Sequence, residues 1–307
     1  MVQVFRAFFC LIFVFSVFLL EGRCGVGRPD DSNFDCQHAF DNGLCGVWFP
    51  EDPILFRPFA ADPRQLTYSV GWRFNDRILP KDIIPISFYD TFPLYRFCDV
   101  GPWRGQLQIE IDGGLWAVFA PCSYSAPLIN ADYYVGLPIT YAFCDWSFRL
   151  RFYHISSHIG DEYLIEHPGF DRRNPSAETL DFFASYDLTR DIRLYGGVGF
   201  IVHQDDSFRM KRFSAEAGTE VRIQRLGFCD ERNNLVGRPF YAMHFRYKPN
   251  FRKHIDATYV LGYEFAKICG TGRRWRAFIE YHDGYSVEGQ FSKLPTNYFG
   301  FRVTYGY

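Results

Sequence analysis

The chain closes on Tyr298-Phe-Gly-Phe-Arg-Val-Thr-Tyr-Gly-Tyr307, a segment that alternates without a break. Phe299, Phe301, Val303, Tyr305 and Tyr307 share one parity, while Gly300, Arg302, Thr304 and Gly306 share the other. Successive side chains of a strand point to opposite faces, so this segment has one bulky apolar face and one small or polar face. Strands of a transmembrane β-barrel carry that pattern, with the apolar face in lipid. The aromatic last residue, Tyr307, points the same way.

The pattern recurs upstream. Over 105–120, Leu107, Ile109, Ile111, Gly113, Leu115, Ala117 and Phe119 oppose Gln106, Gln108, Glu110 and Asp112. Four successive polar groups would be costly in a dry sandwich core, whereas a wet barrel lumen accepts them. Segment 254–268 sets Ile255, Ala257, Tyr259, Leu261, Tyr263 and Phe265 against Asp256, Thr258, Gly262 and Glu264. The full set of expected strands is 65–75, 83–97, 105–120, 130–143, 146–159, 177–188, 191–203, 208–222, 238–247, 254–268, 273–284 and 297–307. That is an all-β chain: a transmembrane antiparallel β-barrel of about 12 strands, an even number as closure requires. The alternative is a soluble β-sandwich, which also alternates. Aromatic outer faces on strand after strand favour the barrel, and the aromatic fraction of 20% supplies them.

Composition narrows the function. A net charge of -2 gives no basic surface for nucleic acid. Mean hydropathy of -0.16 speaks against helical spans beyond the first segment, but is compatible with strands that are only half apolar. Ala7 to Leu20 is an almost wholly apolar run after Arg6, too short for a span of about 20 residues. Residues 1–25 therefore read as a signal peptide, and the expected location is the bacterial outer membrane. A lipoprotein reading of Cys24 is weaker, because Glu21-Gly-Arg-Cys lacks the apolar residues of a lipobox. Residues 26–64, with Pro50, Pro53, Pro58 and Pro63 among aromatics, read as a periplasmic or plugging segment ahead of a barrel at 65–307.

Eight cysteines lie outside the apolar run, and an exported chain can oxidise them. Cys36 and Cys45 are the nearest pair by proximity alone, and disulfide-linked neighbours or a homodimer are also open. No Cys/His spacing indicates a metal centre.

With the N-terminus periplasmic, odd strands run outward and even strands return. Cys144-Asp145 and Thr189-Arg190 then make short periplasmic turns, and 160–176 a long outer loop. The connection 223–237 departs from this rule. Inward Arg149, Arg151, Arg274 and Arg276 are expected to pair with Glu110, Asp112, Glu264 and Glu280.

One place breaks the rule that outward means apolar. In 146–159, Phe148, Leu150 and Phe152 face lipid because Arg149 and Arg151 occupy the other face, and the same period turns His154, Ser156 and His158 outward. Polar groups there are costly unless partnered or at the interface. A tilted strand climbs about 2.3 Å per residue across a band of about 25 Å, so Ser156 lies near the outer rim. On the returning neighbour, Leu180, Phe182, Ala184 and Tyr186 are the lipid face, which puts Glu178 on the same side near the top. Ser156 as nucleophile, His154 as general base and Glu178 as its orienter would form a hydrolytic triad. Backbone amides near Ser157 and His158 are the candidate oxyanion donors. His158, Asp161 and Glu162 are weaker candidates for binding lipid phosphate or calcium; as strand neighbours, Asp161 and Glu162 would face oppositely. Gly196-Gly-Val-Gly199 lacks the strand-to-helix setting of a nucleotide loop.

His154-Ile-Ser156 resembles the His-x-Ser motif of outer-membrane phospholipase A and of the outer-membrane lipid A deacylase. Those enzymes are barrels whose catalytic His and Ser project outward from one strand. The former is twelve-stranded with a third polar residue on the next strand; the latter uses a glutamate there, which Glu178 would match. The Asn that typically follows their serine is Ser157 here, a departure from the motif. A longer resemblance rests on Phe56-Arg-Pro-Phe-Ala-Ala-Asp-Pro63, on 128–138 and on 153–164. These stretches are similar to an uncharacterised bacterial family, a domain of unknown function placed among outer-membrane barrels. The resemblance implies the barrel and says nothing firm about activity. The expected function is thus an outer-membrane barrel acting as a lipid acyl-ester hydrolase, with membrane lipids and the barrel-assembly machinery as partners. The alternative is a non-enzymatic barrel, a channel or a cysteine-linked surface protein.

Overall fold

The computed structural model describes residues 46–50, 54–229, 235–249, 255–266 and 273–307. The segment read as a signal peptide and the Cys36–Cys45 pair lie outside them. In chain order the strands are β1 (Gly46–Trp48), β2 (Tyr68–Phe74), β3 (Asp82–Val100), β4 (Gly105–Phe119), β5 (Leu128–Phe143), β6 (Trp146–Ile159) and β7 (Ser176–Asp187). There follow β8 (Ile192–Gln204), β9 (Phe213–Arg222), β10 (Phe228–Cys229), β11 (Leu235–Tyr247), β12 (Asp256–Ala266), β13 (Arg274–Tyr285) and β14 (Pro295–Gly306). One short helix, α1 (Asp161–Glu166), comes after β6.

Every pairing is antiparallel, and β14 closes on β2 through Phe299↔Phe74 to Tyr305↔Tyr68. Among the described strands, β2–β9 and β11–β14 thus form a ring of twelve. All twelve expected strands are present, with ends shifted by a few residues. β1 flanks β3 outside the ring, and β10 folds back along β11 with Phe228 opposite Gly237. That extra pairing, with a 3-10 turn at Gln224–Leu226, accounts for the long connection between β9 and β11. Turns such as 144–145 and 188–191 mark one end of the barrel, and loops such as 160–175 mark the other, which is the outer end of such proteins.

The two faces alternate with the chain's parity. Phe299 and Phe301 are exposed on β14, while Arg302 and Thr304 are buried. The lumen is packed with polar groups in mutual contact. Arg238, Arg274 and Arg276 converge on Glu264, and Arg302 meets Glu280 at 3.0 Å. Two of the expected pairings differ. Arg151, and at 3.7 Å Arg149, take Asp181 as partner. Glu110 accepts from Gln108 and Thr140, and Asp112 from Tyr89 and Tyr134. The reason is register. Asp181 stands directly across from Arg151 on the neighbouring strand, whereas Asp112 lies two strands away on β4.

Residues 54–67 lie inside the ring. Phe59 stacks on Tyr195 with centroids 3.9 Å apart, the Ala60 amide donates to Glu220, and Arg64 pairs with Asp132. The loop after β13 is tucked in above them. Glu288 binds Arg73 at 2.7 Å, and the Gly289 amide donates to Asp132. A Cβ on Gly289 would stand 2.5 Å from that of Ser157, so only glycine permits this approach.

Candidate active site

β6 divides into two outward stretches. Its first half shows Phe148, Leu150 and Phe152 to the outside, and its last turns out His154, Ser156 and His158. The inward residues of the same stretch, Arg149, Arg151 and Ser157, are buried. The expected parity therefore holds through the polar cluster.

The ladder brings His154 and Glu178 face to face, with Ser156 opposite Ser176 one step nearer the rim. His154 Nδ1 lies 2.8 Å from Glu178 Oε1. An ionised carboxylate only accepts, so the imidazole presents Nδ1–H to it and keeps Nε2 as the basic nitrogen. That Nε2 makes no hydrogen bond among the described residues, nor does the Ser156 hydroxyl. His154 and Glu178 are thus engaged, while Ser156 and His154 share a strand face without touching. Hydrogen bonds of catalytic groups often tighten only when substrate is bound.

A second histidine joins them that period-two reading misses. His203 Nδ1 lies 2.7 Å from Glu178 Oε2, so the carboxylate bridges imidazoles on both neighbouring strands. By parity His203 belongs with Gly199 and Ile201, which face the lumen cavity. The register slips by one residue between Glu178↔His203 and Thr179↔Ile201. That bulge at Val202 reverses the face of the residues beyond it, because an extra residue shifts the alternation by one. The only sequence signal was a histidine near the strand's outer end.

The remaining candidates are not drawn into this cluster. His158 faces outward with its ring edge-on to Tyr133, centroids 5.4 Å apart. Asp161 and Glu162 open helix α1, which lies within the expected outer loop. Glu162 accepts from Ser125 at 3.2 Å. The Ser157 amide is not available to an oxyanion, because it donates to the Pro175 carbonyl at 3.1 Å. Strand pairing had first claim on it.

The fold has clear relatives among solved structures. The chain is similar to the Salmonella typhi outer membrane phospholipase dimer with bound calcium, at 13% identity and TM-score 0.53, covering 81% of this chain and 93% of that one. It is similar also to the Escherichia coli outer membrane phospholipase A, at 13% identity and TM-score 0.51, over 81% and 92%. The β domain of the Bordetella autotransporter BrkA aligns at 12% identity and TM-score 0.45, over 78% and 96%. At such identities the likeness shows the fold alone, that of bacterial outer-membrane β-barrels. No curated protein matches the sequence significantly. A family model matches residues 24–307, nearly the whole chain, and the protein therefore belongs to the family described as "Protein of unknown function (DUF1207)".

Proposed function

We propose that this barrel hydrolyses acyl esters of outer-leaflet lipid through Ser156, His154 and Glu178. The observation that carries the reading is the 2.8 Å contact of His154 Nδ1 with Glu178 on the lipid-facing surface, beside a serine of the same strand face. Ser156 Oγ would attack the acyl carbonyl as His154 Nε2 takes its proton, and that proton would pass to the departing lipid alcohol. Water, activated by the same nitrogen, would then free the fatty acid. Glu178 would hold the imidazole tautomer, with His203 fixing the carboxylate from the far side.

The similar phospholipases supply a precedent in name for this chemistry on this fold. Residence in the outer membrane, export by an N-terminal signal and insertion by the assembly machinery belong to the same proposal. So do disulfides, which the bonded state of Cys98 and Cys144 supports. Cys122 and Cys229 are free and exposed, open to linkage with neighbours.

The test is phospholipase and lipid A deacylase activity of refolded protein beside Ser156→Ala. Loss in the variant supports the triad; equal rates remove Ser156 from the mechanism. Running it with EDTA and with added calcium shows whether the cation takes part. The second reading is a non-enzymatic surface barrel, in which Glu178 clasps β6 to β8 through two histidines. The unbonded Ser156 and the occupied Ser157 amide favour it. An open channel has less support, since residues 54–67 occupy the lumen.

A further inference from the structure

On the inner side of β6 the lumen holds a cavity of about 230 Å³. It lies between β4–β9 and β11, above residues 58–66, and its mouth toward the long loops is edged by Phe208, Lys211 and Ser292. Seven arginine or lysine side chains and four carboxylates line it, a surplus of three positive charges. Most of the carboxylates already have partners. Arg64 holds Asp132, Arg151 holds Asp181, and Glu216 lies 3.4 Å from His244.

Two of the cations are not matched in the same way. Arg149 is 6% exposed, stands 3.7 Å from the Asp181 carboxylate that Arg151 already holds, and makes no hydrogen bond among the described residues. It rests on the faces of Phe56, Phe59 and Phe183, and its Nε is buried without a partner. A guanidinium carries five donors, and buried donors are seldom left unbonded. Lys248, one residue beyond β11, has neither hydrogen bond nor ion pair among the described residues. Burial, then the charge of Arg246, pushes its ammonium down to about 8; Glu216, Asp256 and Arg64 also act on it.

We infer that this cavity binds a small organic oxyanion, a phosphate or carboxylate on a compact body such as a sugar. Arg149 and Lys248 grip the anionic group, and Trp116 and Tyr134 wall the rest. The site is independent of the ester-hydrolase reading, for it uses the opposite face of β6. A soluble compound entering by the mouth and the headgroup of a lipid share this chemistry, and the test separates them.

Full-length protein refolded in zwitterionic detergent is titrated calorimetrically with inorganic phosphate, glucose 6-phosphate, glucose and soluble dihexanoylphosphatidic acid. The expected result is saturable binding of glucose 6-phosphate, none of glucose, and affinity reduced about ten-fold or more in Lys248→Gln and Arg149→Gln. Affinity should also fall as pH rises above about 8, where Lys248 loses its charge. Saturable binding of the phosphatidic acid alone, with the same loss in the variants, assigns the headgroup as the source and upholds the site. Lys248→Gln breaks no bond of the protein, so it reads binding even where Arg149→Gln lowers stability. No saturable binding of any phosphate, or equal affinity in wild type and Lys248→Gln, overturns the inference.

Discussion

The two faces of β6 obey opposite economies. Inside, Arg151 and Ser157 are buried but answered, Arg151 by Asp181 and Ser157 by Asn130 at 3.0 Å. Outside, Phe148, Leu150 and Phe152 need no partner, and the polar run beyond them is partnered only through Glu178. A polar group in the lumen is structural by default, because the fold must satisfy it. On the lipid face the fold gains nothing from a polar group, so it asks for another explanation.

The adjacent serines set that contrast most sharply. Ser156→Ala should remove ester hydrolysis by roughly four orders of magnitude or more while leaving unfolding unchanged. Ser157→Ala should keep the activity and lower stability by about 1 kcal/mol through its lost hydrogen bond. Hydrolysis assays and thermal unfolding of both variants read the pair; a reversed pattern would mean that the faces had been misassigned.

The carboxylates extend the comparison. Asp181→Ala strands the Arg151 and Arg149 charges in the lumen and should cost about 3–5 kcal/mol, seen as a lower unfolding midpoint. Glu178→Ala should cost little stability, since the group is partly exposed, but should lower kcat about 10³-fold or more by releasing the imidazole. Unchanged kcat in Glu178→Ala would leave the clasp reading in possession.

Smaller effects probe what sits beneath and beside the site. Gly289→Ala should cost about 1–3 kcal/mol, because the added methyl meets Ser157 and must push the tucked loop away. His203→Ala should slow hydrolysis by only a few-fold, since His154 retains its own bond to Glu178. Full activity in His203→Ala would exclude His203 from the site.

How much of this was legible depended on whether a feature obeyed period two. The twelve strands, the outward His154 and Ser156, and Glu178 across from His154 all come from alternation carried along unbroken strands. Features that alternation does not encode were lost. The bulge that turns His203 outward is a one-residue slip with no marker such as glycine at Val202. The choice of Asp181 over Asp112 depends on inter-strand register, which a single chain's pattern does not carry. The Ser157 amide was offered to substrate because the partner on the loop side, Pro175, lay beyond the expected strand.

The position of the bulge has a consequence for how such a surface can change. One residue inserted near the start of a strand exchanges every later side chain between oil and water, and a row of phenylalanines would enter the lumen. The same insertion two residues from the strand's end moves almost nothing but the last side chain. A barrel can therefore bring a new chemical group onto its lipid face by a single-codon insertion or deletion at the rim, with the span below undisturbed. His203, one step beyond Val202, stands where such a change is most easily borne.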